Sequence, residues 1–161
     1  MRIRIIGPPG SGKSYLSRKL SQKTGVSYVD LDDVHWKTKY TKKNTVAYRK
    51  EQVRKHIKPR DWIIEGVYMD TWAHPTISQA DMVIVLRPPK IVLFYRLISR
   101  FCFTALLGKR RFDYAKLLHL LRGAWYFHED QEKKMPPAKY FIYRYADHAL
   151  SSFDNNQAYL S

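Results

Sequence analysis

Residues 7–14 read Gly-Pro-Pro-Gly-Ser-Gly-Lys-Ser and fit the spacing G-x-x-x-x-G-K-[ST] without a gap. No other stretch restricts the fold as much. Residues 2–6, Arg-Ile-Arg-Ile-Ile, precede it and read as a strand. A helical segment from Lys13 to Thr24 follows, with Leu16 and Leu20 on its buried side and Gly25 as its stop. A glycine-rich turn between strand and helix aims main-chain N–H groups at one point, where the helix dipole adds positive potential. That arrangement suits phosphate. Pro8 and Pro9 lack an N–H but stiffen the loop, and the donors of Gly10, Ser11, Gly12, Lys13 and Ser14 stay free to face inward. Gly7 and Tyr15 bound the segment. In this reading Lys13 reaches the β- and γ-phosphates of a triphosphate, and the Ser14 hydroxyl holds Mg²⁺.

The rest of the chain alternates strand and helix. Residues 26–31 read as a second strand ending in Asp30, Asp32 and Asp33, and residues 44–57 as a helix capped by Asn44, with Val46, Val53 and Ile57 on one face. Residues 62–66 and Met82–Leu86 supply two more apolar strands. Helices follow at 90–107, stopped by Gly108, and at 113–134, with Leu117, Leu118, Leu121 and Trp125 turned inward. A helix near 137–146 and a fifth strand at 148–153 complete the pattern. The expectation is an α/β fold, a three-layer parallel sheet of about five strands of the P-loop nucleoside triphosphate hydrolase and kinase type. At 161 residues it forms one domain. A helical insert falls at about 37–60 and a lid-like segment at about 101–125.

Ligands of such sheets sit outside the carboxyl ends of the strands. Asp32 and Glu65 stand at those ends. Glu65 closes an apolar strand and can bind Mg²⁺ through water. Asp32 can take a proton from an attacking hydroxyl, or can simply cap a turn. His35 and Trp36 can line an acceptor pocket; His35 fits equally well as a satisfied, half-buried imidazole.

The combination of GPPGSGKS, Leu31-Asp32-x-x-His35-Trp36, Trp62-Ile63-Ile64-Glu65-Gly66-x-Tyr68 and Ala80-Asp81 before an apolar strand resembles the topology modulation proteins, which look like adenylate kinase relatives. The likeness covers roughly residues 3–100. It implies a nucleotide kinase fold using ATP and Mg²⁺, with Gly66 and Tyr68 joining Asp32, His35 and Trp36 around the acceptor. Arg96 and Arg100 resemble the paired lid arginines of adenylate kinases, and Lys109-Arg110-Arg111 would lie in the lid. Spacing of i,i+4 also puts both guanidiniums on one helix face, where arginine steadies charge on a phosphoryl group in transfer. Relatives hold the base after the last strand, which points to Phe153, Asp154 and Asn155. Lys37-Thr38-Lys39-Tyr40 stands where the family has Pro-x-Trp, so the acceptor's identity does not carry over.

The chain carries 29 Lys+Arg against 14 Asp+Glu, a formal charge of +15. Residues 37–60 hold ten of those cations and one acid, Glu51. Such a surface attracts polyanions. It suits an anionic acceptor, a nucleic-acid backbone, or plain solvation, and Trp36, Tyr40 and Tyr48 are available to stack on bases. One cysteine, Cys102, excludes an internal disulfide or zinc cluster. The apolar run between Lys90 and Lys109 contains Arg96 and Arg100, each costing roughly 2.5–3.5 kcal/mol at a bilayer centre, which argues against a membrane span. No signal peptide is evident, so a cytoplasmic protein is expected. Phe101–Leu107 asks for burial, better as core than as a dimer contact, so a monomer or a homodimer is expected. The reading is a small ATP-dependent kinase acting on a small-molecule acceptor. The alternative is a nucleic-acid-associated ATPase or nucleotide-binding regulator. A GTPase switch is the weakest reading, for want of N-K-x-D and of D-x-x-G after the third strand.

Overall fold

A computed structural model describes residues 1–38, 41–106, 114–130 and 140–156. Five strands form a parallel sheet: β1 (Arg2–Ile6), β2 (Tyr28–Asp30), β5 (Trp62–Glu65), β6 (Met82–Leu86) and β7 (Tyr140–Tyr143). Their spatial order is β2-β5-β1-β6-β7. Between β2 and β5 the chain makes a short helix α2 (Leu31–His35), a two-stranded antiparallel ribbon of β3 (Trp36–Thr38) and β4 (Lys42–Lys43), and helix α3 (Val46–Ile57). α1 (Lys13–Thr24) follows β1; α4 (His74–Ser78) precedes β6; α5 (Lys90–Leu106), α6 (Tyr114–Asp130) and α7 (Ala146–Asn156) complete the chain.

Strand alternation divides the core. Ile3 and Ile5 face a layer with Leu16 and Leu20 of α1 and Ala149 and Phe153 of α7. Ile6, Ile64, Val83 and Val85 face the other layer, with Val53, Trp72 and Ile77. A third cluster joins α5 to α6 through Leu93, Leu97, Leu117, Leu120 and Ala124. Arg4 occupies the β1 position between Ile3 and Ile5, at 0 % exposure.

Several expectations need correction. The last strand is Tyr140–Tyr143, aligned with Val83–Leu86 of β6, where a helix was expected. Residues 148–153 lie in α7 rather than in a strand, because Ala146, Ala149, Leu150 and Phe153 recur at helical spacing and bury one face. The cap of α3 is Thr45, whose hydroxyl accepts from the Tyr48 N–H; Asn44 instead donates its amide to the Val34 carbonyl. Val46 is exposed. In α6 the inward stripe is Leu117, Leu120, Ala124 and Phe127, with Leu118 and Trp125 exposed. Phe101 packs against the α5–α6 cluster, whereas Phe103 and Leu106 are open to solvent; Leu107 and the side chains of 104 and 105 lie outside the described residues. Cys102 is exposed. Among the described residues no helix is long and apolar enough to cross a membrane. Tyr40 and the run 109–111 lie outside the described residues.

Candidate functional site

A cleft of about 930 Å³ opens at the carboxyl ends of β1, β2 and β5. One end is the phosphate loop. Gly10 and Gly12 adopt φ of 80° and 97°, angles that side chains with a Cβ resist. Gly12 caps α1 without any side-chain hydrogen bond, so the first N–H groups of the helix are left to a ligand. Pro9, Gly10, Gly12, Lys13, Ser14 and Tyr15 line the cleft. Gly7, Pro8 and Ser11 serve the loop from behind. A Cβ on Gly7 would stand 2.6 Å from Ser11 Oγ and 2.9 Å from the Leu86 carbonyl, so glycine is needed for packing. The Pro8 carbonyl accepts from Ser11 N at 3.2 Å and from Lys13 Nζ at 3.0 Å. Burial pushes the Lys13 ammonium below its ordinary pKa, opposed by the charges of Glu65, Asp32 and Asp30.

The other end is built from side chains. Asp30 caps α2, its Oδ1 accepting from Asp32 N at 2.8 Å, which fixes the start of that five-residue helix. Asp32 Oδ1 accepts from the Tyr68 hydroxyl at 2.8 Å. Burial, the Asp32 charge and that hydrogen bond all raise the Tyr68 pKa, so the phenol stays a donor. His35 lies under Tyr68, rings stacked at 4.4 Å and 16°, with Trp36 at its edge 4.7 Å away. Arg49 Nη1 lies 3.3 Å from His35 Nδ1 and its guanidinium carbon 5.2 Å from the Trp72 ring. Burial first, then Arg49 and Lys43, hold His35 below its usual pKa. The imidazole is therefore neutral at pH 7, and facing Arg49 it carries its proton on Nε2.

The structure thus brings Lys13, Ser14, Asp32, His35, Trp36, Glu65, Gly66, Tyr68, Arg96 and Arg100 into one cleft. Arg96 Nη1 reaches the Gly10 carbonyl at 3.4 Å, tying α5 to the loop. Glu65 is buried, and its Oε1 has no hydrogen-bond partner among the described residues. It lines this cleft and a second, smaller cavity, each shared with Ser14. A buried carboxylate oxygen without a donor calls for a cation or water. Ser14 and Glu65 therefore fit Mg²⁺.

Phe153 and Asp154 are not at the cleft, and the Asn155 side chain lies outside the described residues. Phe153 is packed in the core, and Asp154 takes Lys23 Nζ at 2.6 Å. Tyr145, Ala146 and Asp147, which follow the true last strand, border the cleft instead. Sequence reasoning also missed Lys43, Asp70 and His119. Asp30 both caps α2 and lines the cleft, and Asp just before a helix is itself an N-cap signal.

No protein-family model matches the sequence. The chain is 30% identical over 99 residues to the uncharacterised protein YqaC of Bacillus subtilis, covering 61% of this chain and 55% of that one. It is 30% identical over 109 residues to a Saccharolobus solfataricus protein provisionally named an adenylate kinase, covering 62% and 56%. The chain spans about half the length of the curated relatives it matches. Among solved structures, a shikimate kinase from Bacteroides thetaiotaomicron superposes with a TM-score of 0.64 at 18% identity, covering 99% of this chain and 98% of that one. A deoxyadenosine kinase from M. mycoides gives 0.62 at 15%, covering 98% and 99%. The chain has the α/β fold of the small P-loop kinases.

Proposed function

We propose that this protein is an ATP-dependent phosphotransferase that moves the γ-phosphoryl group to a hydroxyl of a small acceptor. One observation carries the reading: a single cleft joins the phosphate loop to a side-chain-built pocket centred on Asp32. A pure hydrolase has only water to place and does not need the aromatic wall of His35, Trp36 and Tyr68. The curated resemblance to an adenylate kinase and the fold of small-molecule kinases support the same class. The narrower likeness to topology modulation proteins belongs to this proposal too.

In this reading the amides of the loop, Lys13, Arg96 and Arg100 bind and neutralise the triphosphate tail. Ser14 and Glu65 would hold Mg²⁺, which supplies charge neutralisation across the phosphate oxygens. The base sits against Tyr145–Asp147, following the last strand. The acceptor hydroxyl meets Asp32, which takes its proton as the oxygen bonds to the γ-phosphorus. The bond to the bridging oxygen breaks and ADP leaves. The phenol of Tyr68 holds Asp32 in place, and the neutral His35 fills the floor beneath it.

The test is a screen of ATP-dependent phosphorylation across nucleosides, nucleotides, sugars and hydroxy acids. An acceptor that raises ADP formation above the level with water supports the proposal. ATP turnover that no acceptor stimulates, but that DNA or RNA stimulates in a salt-dependent way, favours the nucleic-acid-associated ATPase instead. The specific observation behind that second reading is the exposure of Lys50, Arg54, Lys55, Lys58 and Arg60 along and after α3.

A further inference from the structure

The guanidinium of Arg4 is enclosed in the sheet layer beneath the acceptor end of the cleft. Nη1 donates to the Ile5 carbonyl at 2.8 Å and to the Ile64 carbonyl at 3.3 Å, both in strands. Nη2 donates to the carbonyls of Gly66 at 3.1 Å and Tyr68 at 2.9 Å. The pairing of β5 with β1 and β2 ends at Glu65. Beyond it the chain leaves the ladder, and its carbonyls must find other donors. One arm of the guanidinium grips the strand ends and the other grips the loop that leaves them. Tyr68 is the residue at the far grip, and its phenol holds Asp32 while its ring covers His35.

We propose that Arg4 is a positioning residue for phosphoryl transfer, clamping the Gly66–Tyr68 loop so that Tyr68 holds Asp32 at the attacking hydroxyl. This rests on the kinase reading of the cleft. Arginine suits the task because its planar fork presents two nitrogens in fixed directions, whereas lysine offers one. The four carbonyls that Arg4 holds all lie outside the phosphate loop, so its positioning effect passes through Tyr68; its charge also presses on the Lys13 ammonium, an effect that Arg4→Lys keeps and Arg4→Met removes.

The experiment compares Arg4→Lys, Arg4→Met, Tyr68→Phe and the Arg4→Lys/Tyr68→Phe pair in the full chain. Phosphate release from Mg–ATP, with water as acceptor, is the probe. Arg4→Lys is expected to lower kcat about tenfold with KM for ATP unmoved, and Arg4→Met at least as much. Calorimetric affinity for Mg–ATP is expected to stay at the wild-type value in Arg4→Lys, which keeps the charge near Lys13. The double variant is expected to fall no further than Arg4→Lys alone, because both changes break one path. Multiplying effects in the double variant, or an unchanged kcat in both Arg4 variants, overturns the proposal. A second readout uses the His35 imidazole, assigned in NMR spectra by its loss in His35→Gln. The groups facing it are Arg49, Lys43, Asp32 and Asp70. Loosening the clamp uncovers the ring, so its titration moves up toward the ordinary value in Arg4→Lys, while that of His56 in α3 stays put. Movement of both together signals general loosening and overturns the proposal. Should Asp32→Asn leave phosphate release unchanged, the kinase reading fails on its own, and the His35 titration still decides whether Arg4 clamps the loop.

Discussion

The phosphate end of the cleft comes from consecutive residues, 7–14, and offers mostly backbone. The proposed acceptor end comes from α2, the β3–β4 ribbon and the loop after β5, and offers side chains held by other side chains, Tyr68 on Asp32 and Arg49 on His35, with Asp30 capping the Asp32 N–H. A backbone-built site depends on a few residues that set the chain's path. A side-chain-built site depends on every link. The first should resist most substitutions and fail at a few; the second should degrade step by step.

Five measurements break or sharpen that contrast. Lys13→Ala removes the charged side chain that the phosphate loop itself supplies, and ATP turnover is expected to fall about 10³-fold or more. Full activity in that variant would refute the site. Asp32→Asn should lower transfer about 10²-fold yet leave the calorimetric Kd for Mg–ATP at its wild-type value. A parallel loss of nucleotide affinity would show that the two ends are not separable. Gly66→Ala should cost about 1–3 kcal/mol in urea denaturation, because φ is 150° and the new Cβ would stand 2.9 Å from Leu31 Cβ. Equal stability would mean that the close approach of β5 and α2 relaxes freely.

The fourth measurement is stability against pH. His35 binds its proton less readily folded than unfolded, so the unfolded chain charges first as pH falls. Stability present above the unfolded value of 6.5 is then lost on acidification, down to the depressed folded value. His56, also held low by burial, contributes with the same sign. His35→Gln should flatten the slope between pH 7 and pH 5; an unchanged slope would remove His35 from the account. The smallest effect belongs to Ser11→Ala. Its hydroxyl is buried without a hydrogen-bond partner among the described residues, so its loss should change stability by less than about 1 kcal/mol and leave ATP binding alone. A large loss there would mean that the phosphate end also leans on side chains.

The same contrast governs what the sequence disclosed. The phosphate loop was legible because its geometry is local: glycines, a strand before, a helix after. Strands β1, β5 and β6 were legible as apolar runs, and Asp32 and Glu65 followed from their places at strand ends. The five-residue α2 and the β3–β4 ribbon were not, since neither is long enough to show a period. Tyr140-Phe141-Ile142-Tyr143 was read as helix, although aromatic and β-branched residues favour a strand. The inward stripe of α6 was hidden because apolar residues surround the helix. Arg4 did leave a signal: a charged residue inside a strand whose neighbours are all buried needs a partner, and Gly66 and Tyr68 supply the carbonyls from more than sixty positions away.

Gly66 meets Leu31 with no room for a methyl group, so the part of the cleft proposed to hold the acceptor is pinned where two stretches of chain touch. Lineages or designers seeking a new substrate would find that point closed to them. Lys43, an exposed side chain lining the same cleft, makes no such close approach, and diversification of chemistry on this scaffold should be written there first.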